Sequence, residues 1–172
     1  QCLVGSEMCI RDRALRQAIS NLVAMRETEG SNIYGDFIKR ADLIAEKLAV
    51  IEERSPQVVE EYQIRLSDRI NELLAKHNQV IEPERLLQEV AIFADRTSIT
   101  EEIVRLKSHI KQFKLIIDAD QPVGRKLDFL IQEFNREANT IASKANDYTL
   151  AQVVVEIKAE IEKIREQIQN IE

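Results

Sequence analysis

Leu150, Val154, Ile157, Ile161, Ile164, Ile168 and Ile171 follow one another at spacings of 4, 3, 4, 3, 4 and 3 residues. On a strand this spacing would scatter the apolar side chains over both faces; on an α-helix it gathers them into one stripe. A second run, Ile99, Ile103, Leu106, Ile110, Phe113 and Ile117, repeats the pattern. A stripe of this kind is stabilised by packing against a neighbour, either within the chain or across subunits. Breakers are scarce, with 4 Gly and 3 Pro in 172 residues, and with no Trp the core must be mostly aliphatic. No stretch alternates as a strand would, and no repeat of fixed period occurs. These features predict an all-α fold: a long helical hairpin arm followed by a C-terminal helical bundle with coiled-coil-like heptad seams.

The expected division along the chain starts with an anomaly. Residues 3–12 read LVGSEMCIRD, which one frame of a transposon-based sequencing adapter also encodes, and Cys2 and Arg13 fit its flanking codons. Residues 1–13 are therefore expected to be an assembly artefact, with the true gene starting further upstream. Both cysteines, Cys2 and Cys9, fall inside this segment, so disulfides, thiol chemistry and Cys-ligated zinc are not expected. Residues 14–81 are predicted to form the hairpin arm. One helix spans about 14–53, Ser55-Pro56 supplies an N-cap and first-turn proline for a second helix to about 76, and 77–81 is a linker. Residues 82–172 are predicted to form the C-terminal helical domain. Pro83 starts one helix there, Ser98-Ile-Thr-Glu101 reads as a capping box, 121–124 is a turn, and Thr149-Leu-Ala-Gln152 reads as a second capping box.

A net charge of −6 argues against a protein that coats nucleic acid by bulk electrostatics. It leaves room for a local basic stripe. No apolar run approaches the roughly 20 residues of a membrane span, and a cytoplasmic location is the expectation.

The segment 124–144, GRKLDFLIQEFNREANTIASK, carries most of the chemical information. At 100° per residue, Leu127, Leu130, Phe134, Ala138 and Ile141 share one face. Asp128, Gln132, Asn135 and Asn139 form a polar stripe opposite, flanked by Arg125, Arg136 and Ser143, with Glu133, Glu137 and Lys144 further round. A face that only solvates the helix favours Glu and Lys, because Asn is a poorer helix former. The amides and arginines therefore suggest a surface for a polar ligand or partner. Carboxylates are natural ligands for Mg²⁺ or Mn²⁺, and Asp95, Glu101, Glu102, Asp128, Glu133 and Glu137 are candidates. Lys107, Lys111 and Lys114 recur at i, i+4 and i+7 and can follow a phosphate backbone, although a solvated flank is the commoner role of such a stripe. His77 and His109 stand alone in sequence and read as structural or solvent-facing residues. No phosphate-binding glycine loop and no catalytic triad context is present.

Several of these segments together resemble the bacterial YicC/YloC family: MRETEG at 25–30, FADRTSITEEIVRLKSH at 93–109, PVGRKLDFLIQEFNREANTIASK at 122–144 and EIEKIREQIQNIE at 160–172. The resemblance covers essentially everything after Arg13 and corresponds to the C-terminal part of a member, with 14–81 reaching back to the end of the family's N-terminal region. It implies an endoribonuclease that depends on a divalent cation, Mn²⁺ or Mg²⁺, acts on RNA and forms a ring-like homo-oligomer of hexameric order. Carried onto this sequence, it implies Asp128, Glu133 and Glu137 as catalytic and metal-binding carboxylates. Of the same motif, Arg125, Arg136 and Lys144 would bind phosphate and Asn135 and Asn139 would orient ligand or water; Lys107, Lys111 and Lys114, read from their spacing alone, are a further RNA-binding candidate. Composition and heptads alone favour a different function, a non-catalytic helical scaffold or adaptor for a protein partner. Carboxylates gathered in a cleft beside basic groups would favour the nuclease; carboxylates scattered on an open face would favour the scaffold.

Overall fold

The computed structural model describes residues 2–75, 83–119 and 123–169, with side chains described from residue 8 onward. Every element among them is helical: α1 (Cys2–Ala75), α2 (Pro83–Thr97), α3 (Thr100–Ile117), α4 (Gly124–Lys144) and α5 (Tyr148–Ile168). The chain divides into two units, Gln1–Lys39 and Arg40–Glu172. In the first, every residue from 8 to 32 is exposed, including Leu15, Ile19, Leu22 and Met25. Local bonds such as Gln17 Nε2 to Asn21 Oδ1 at 3.0 Å and Thr28 Oγ1 to the Ala24 carbonyl at 2.8 Å run along that helix.

The second unit is a bundle. Ala41, Ile44, Leu48, Ile51 and Val58 of α1 are buried, as are Ile103, Leu106, Ile110 and Phe113 of α3 with Ile99 just before it. Leu127, Leu130, Ile131, Phe134, Ala138 and Ile141 of α4 and Leu150, Val154, Ile157, Ile161, Ile164 and Ile168 of α5 complete the core. The predicted stripes are thus the buried stripes, except that Ile117 is only half-buried and Ile171 lies outside the described residues. α4 packs between α3 and α5, and the pairs Lys144–Glu102 and Glu137–Arg105 show that it runs antiparallel to α3. Ion pairs set the direction of α1. Arg40 meets Glu160 at 2.8 Å, Lys47 meets Glu156, and Arg54 meets Asp147 at 2.9 Å, so partner numbers on α5 fall as those on α1 rise. Lys114 with Asp42 and Lys107 with Glu52 (2.5 Å) give the same antiparallel sense against α3.

The expected hairpin at Ser55-Pro56 does not form: α1 continues through Pro56. A proline inside a helix removes one backbone hydrogen bond and costs about 3 kcal/mol, so the surrounding contacts must outweigh that. Ile51 and Val58 are seven residues apart and both buried, so the apolar stripe keeps its register across the proline. Arg54 braces the same turn, reaching Gln57 at 3.1 Å and Glu61 Oε2 at 2.9 Å. Further along α1, Tyr62 stacks on Phe93 of α2, ring centroids 3.7 Å apart.

Both predicted capping boxes are also replaced. Ile99, not Ser98, sits at the α3 N-cap without a side-chain cap, because burying Ile99 fixes how the chain enters the helix. The α5 N-cap is Asp147, two residues before Thr149, and its carboxylate accepts from Leu150 N at 2.9 Å. The predicted linker 77–81 and the first half of the predicted turn 121–124 lie outside the described residues.

Candidate metal centre

The antiparallel packing of α3 on α4 sets two rows of side chains opposite each other. The α3 row reads Glu102, Arg105, His109, Gln112 and Ile116; the α4 row, in the opposite direction, reads Lys144, Glu137, Glu133, Phe129 and Lys126. Near the middle, His109, Glu133 and Glu137 each direct one potential ligand atom to a common point, all within 4.8 Å of one another. Glu133 and Glu137 are one turn apart on α4, so both project from the same edge. His109 and Glu133 are half-buried, and Glu137 is 3% exposed. Among the described residues, none of the three side chains takes part in a hydrogen bond.

A buried carboxylate is costly unless a positive charge compensates it. Part of that charge comes from Arg105, whose Nη1 lies 3.7 Å from Glu137 Oε1. Glu101, and then Glu137 and Glu102, raise the pKa of Arg105 further above its ordinary value, so the guanidinium remains a fixed cation. Arg136, largely exposed, stands 3.8 Å from Glu133 Oε2. At the far end of the row, Lys144 bonds to buried Glu102 at 2.8 Å. Burial raises the pKa of Glu102, but Lys144 and nearby groups outweigh it, and the carboxyl titrates below its ordinary value.

The donor chemistry fits a divalent cation. Ligands on opposite sides of one such ion stand about 4–5 Å apart, which matches the span of this group. An imidazole beside two carboxylates suits Mn²⁺ better than Mg²⁺, which prefers oxygen ligands throughout.

The sequence-predicted residues divide along these lines. Glu133 and Glu137 converge; Asp128 does not join them, being exposed and bonded to Gln132 Nε2 at 3.0 Å on the solvent side of α4. Asn139 is exposed and Asn135 half-buried, on the same outer side. Arg125 and Arg136 are exposed. Of the lysine stripe, Lys107 and Lys114 are engaged by Glu52 and Asp42 of α1, and Lys111 alone is exposed without an ion-pair partner among the described residues. Lys144 is half-buried and held by Glu102 and the Ser98 carbonyl. Asp95 and Glu101 are exposed, outside the converging group. His109 was the residue that sequence reasoning set aside. It is alone in its helix, and only the register of α3 against α4 reveals its partners.

Residues 51–172 match the family described as "Endoribonuclease YicC-like, C-terminal". The chain belongs to the YicC family. It is 52% identical over 161 residues to the "Probable endoribonuclease YicC" of Clostridioides difficile (strain 630), covering 94% of this chain and 55% of that protein. It is 37% identical over 159 residues to the protein of the same name from Haemophilus influenzae, covering 92% of this chain and 54% of that one. The chain thus spans about half the length of the curated relatives it matches. All three converging donors, and Arg105 beside them, fall within the stretch that matches the YicC family.

Proposed function

We propose that this chain contributes the metal-binding part of an endoribonuclease, with Mn²⁺ held by His109, Glu133 and Glu137 and RNA as substrate. The observation that carries the reading is the convergence of these three donors beside Arg105 in a member of the YicC family. A bound cation supplies the means to lower the pKa of a water and to neutralise charge on the scissile phosphate. The side chains do the rest. Glu137, buried against α3, fixes one ligand position, and His109 fixes another from the facing helix. Arg105 and Arg136 border the group and are exposed enough to meet phosphate oxygens, where a guanidinium can bond in bidentate fashion. Donors gathered from two helices favour this reading over a scaffold, whose acidic groups have no reason to converge. A ring-like homo-oligomer acting on cytoplasmic RNA belongs to the same proposal.

The test is cleavage of single-stranded RNA across a Mn²⁺ titration. It would be run on this chain alone and on this chain joined to the amino-terminal part of the Clostridioides difficile relative. His109→Ala and Glu137→Gln are each expected to lower the rate at least about tenfold, equivalent to about 1.4 kcal/mol of transition-state stabilisation. Asp128→Asn serves as the comparison and should retain most activity. Wild-type rates for both His109→Ala and Glu137→Gln would place the catalytic groups elsewhere.

A further inference from the structure

Beyond His109 the seam between α3 and α4 opens into a groove of about 360 Å³. His109 lines its inner end, Gln112 and Ile116 continue the α3 wall, and Arg125, Lys126 and Phe129 form the α4 wall. Among the described residues no lining side chain is acidic, although the chain carries 30 Asp and Glu and a net charge of −6. Arg125 and Lys126 are exposed, and neither has an ion-pair partner among the described residues. Lys47, Lys107 and Lys114, in contrast, are all engaged by carboxylates. Phe129 is 63% exposed, while the apolar face of α4 is already complete without it. Packing gives this ring no role, and it sits between two free cations and a metal-centre histidine.

We propose that the groove is a nucleotide subsite, in which Phe129 stacks an unpaired base of the RNA and Arg125 and Lys126 hold the adjoining phosphates. The inference rests on the endoribonuclease reading above and gives it a direction: the strand runs along the α3–α4 seam from the groove to His109, Glu133 and Glu137. An aromatic face accepts any base, because every base has a π-face, whereas the stacked bases of a duplex cannot reach it. The subsite therefore selects for a single strand without selecting a sequence. The free cations favour a polyanion over an apolar protein segment as occupant.

Fluorescence anisotropy with a labelled single-stranded oligoribonucleotide, without divalent cation so that no cleavage occurs, tests this on the full 172-residue chain. Phe129→Ala is expected to weaken binding about tenfold, Phe129→Leu nearly as much, and Phe129→Trp not at all. Lys126→Ala should lower the slope of log affinity against log salt by about one. Circular dichroism melting of each variant checks the fold, and Mn²⁺ binding should stay at the wild-type level throughout. If the wild-type chain binds RNA and Phe129→Ala binds it equally well, the subsite is refuted while the endoribonuclease reading stands. If Phe129→Ala instead changes the sedimenting mass and not the RNA affinity, the ring is an interface between copies and the subsite is again refuted. If the wild-type chain binds no RNA, the subsite is refuted, and the cleavage assay on the joined protein decides the endoribonuclease reading separately.

Discussion

Lys144 Nζ lies 2.8 Å from Oε1 of Glu102, and the same ammonium donates to the Ser98 carbonyl at 3.1 Å. The last turn of α4 is thereby tied to the first turn of α3. Glu102 is 5% exposed, and its Oε2 has no hydrogen-bond partner among the described residues. Removing the lysine would leave a buried charge uncompensated, which is the expensive way to break such a pair. Lys144→Met is expected to cost about 1–3 kcal/mol of unfolding free energy, the lower end reflecting the partly exposed ammonium. Adding Glu102→Leu should recover most of the loss. An equal or larger loss in the double variant, measured by urea unfolding, would contradict the pairing.

Asp147 performs two jobs with its two oxygens. Oδ1 caps α5 by accepting from Leu150 N, and Oδ2 accepts from Arg54 of α1 at 2.9 Å. Loss of a cap alone typically costs about 1 kcal/mol. Asp147→Ala should therefore cost about 1–2 kcal/mol, and Asp147→Asn, which keeps an acceptor, clearly less. Equal losses for the two variants would show that the cap contributes nothing.

Acid should unfold the bundle through identifiable groups. The hydrogen bond from Arg54, opposed by burial, holds Asp147 below its ordinary pKa, and the hydrogen bond from Lys163, helped by Arg40 and opposed by burial, does the same for Glu160. A carboxyl whose folded pKa is depressed binds more protons when unfolded. Its contribution is present above the unfolded value of about 4 and is lost as pH falls through the folded value. The urea midpoint should hold steady from pH 7 to about 5 and then fall. Asp147→Asn combined with Glu160→Gln should flatten that fall; an unchanged acid limb would assign it to other carboxylates.

Ile161 is fully buried at the centre of the α5 stripe. Ile161→Ala is expected to cost about 2–4 kcal/mol by equilibrium unfolding. A cost under about 0.5 kcal/mol would mean that the site relaxes to fill the space, contrary to the close packing seen here.

The helices were legible because their signal is local. Ile157, Ile161 and Ile164 announce their buried face by spacing alone, and a stripe of that kind has few other solutions. Pro56 misled because its local preference for a helix start is real, yet the stripe from Ile51 to Val58 and the brace from Arg54 to Glu61 outweigh it. Ser98 and Thr149 misled in a similar way: tertiary burial of Ile99 and the Arg54–Asp147 pair decide where α3 and α5 begin. The candidate site was half legible. Glu133 and Glu137 share an edge of one helix, a relationship that spacing exposes. His109 joins them only through the pairing of two helices, and Asp128 belongs to the same motif but points away from the group. Spacing within one helix cannot tell which of its carboxylates another helix will meet.

Mn²⁺ binding followed by electron paramagnetic resonance shows whether His109, Glu133 and Glu137 hold one divalent cation, as proposed. Titrating the 172-residue chain with Mn²⁺ should show one saturable site. His109→Ala and Glu137→Gln should each weaken that site at least about tenfold, with melting curves confirming the fold, while Asp128→Asn leaves it unchanged. Binding that is unaffected by the loss of His109 and of Glu137, or that disappears with Asp128→Asn alone, would contradict the account.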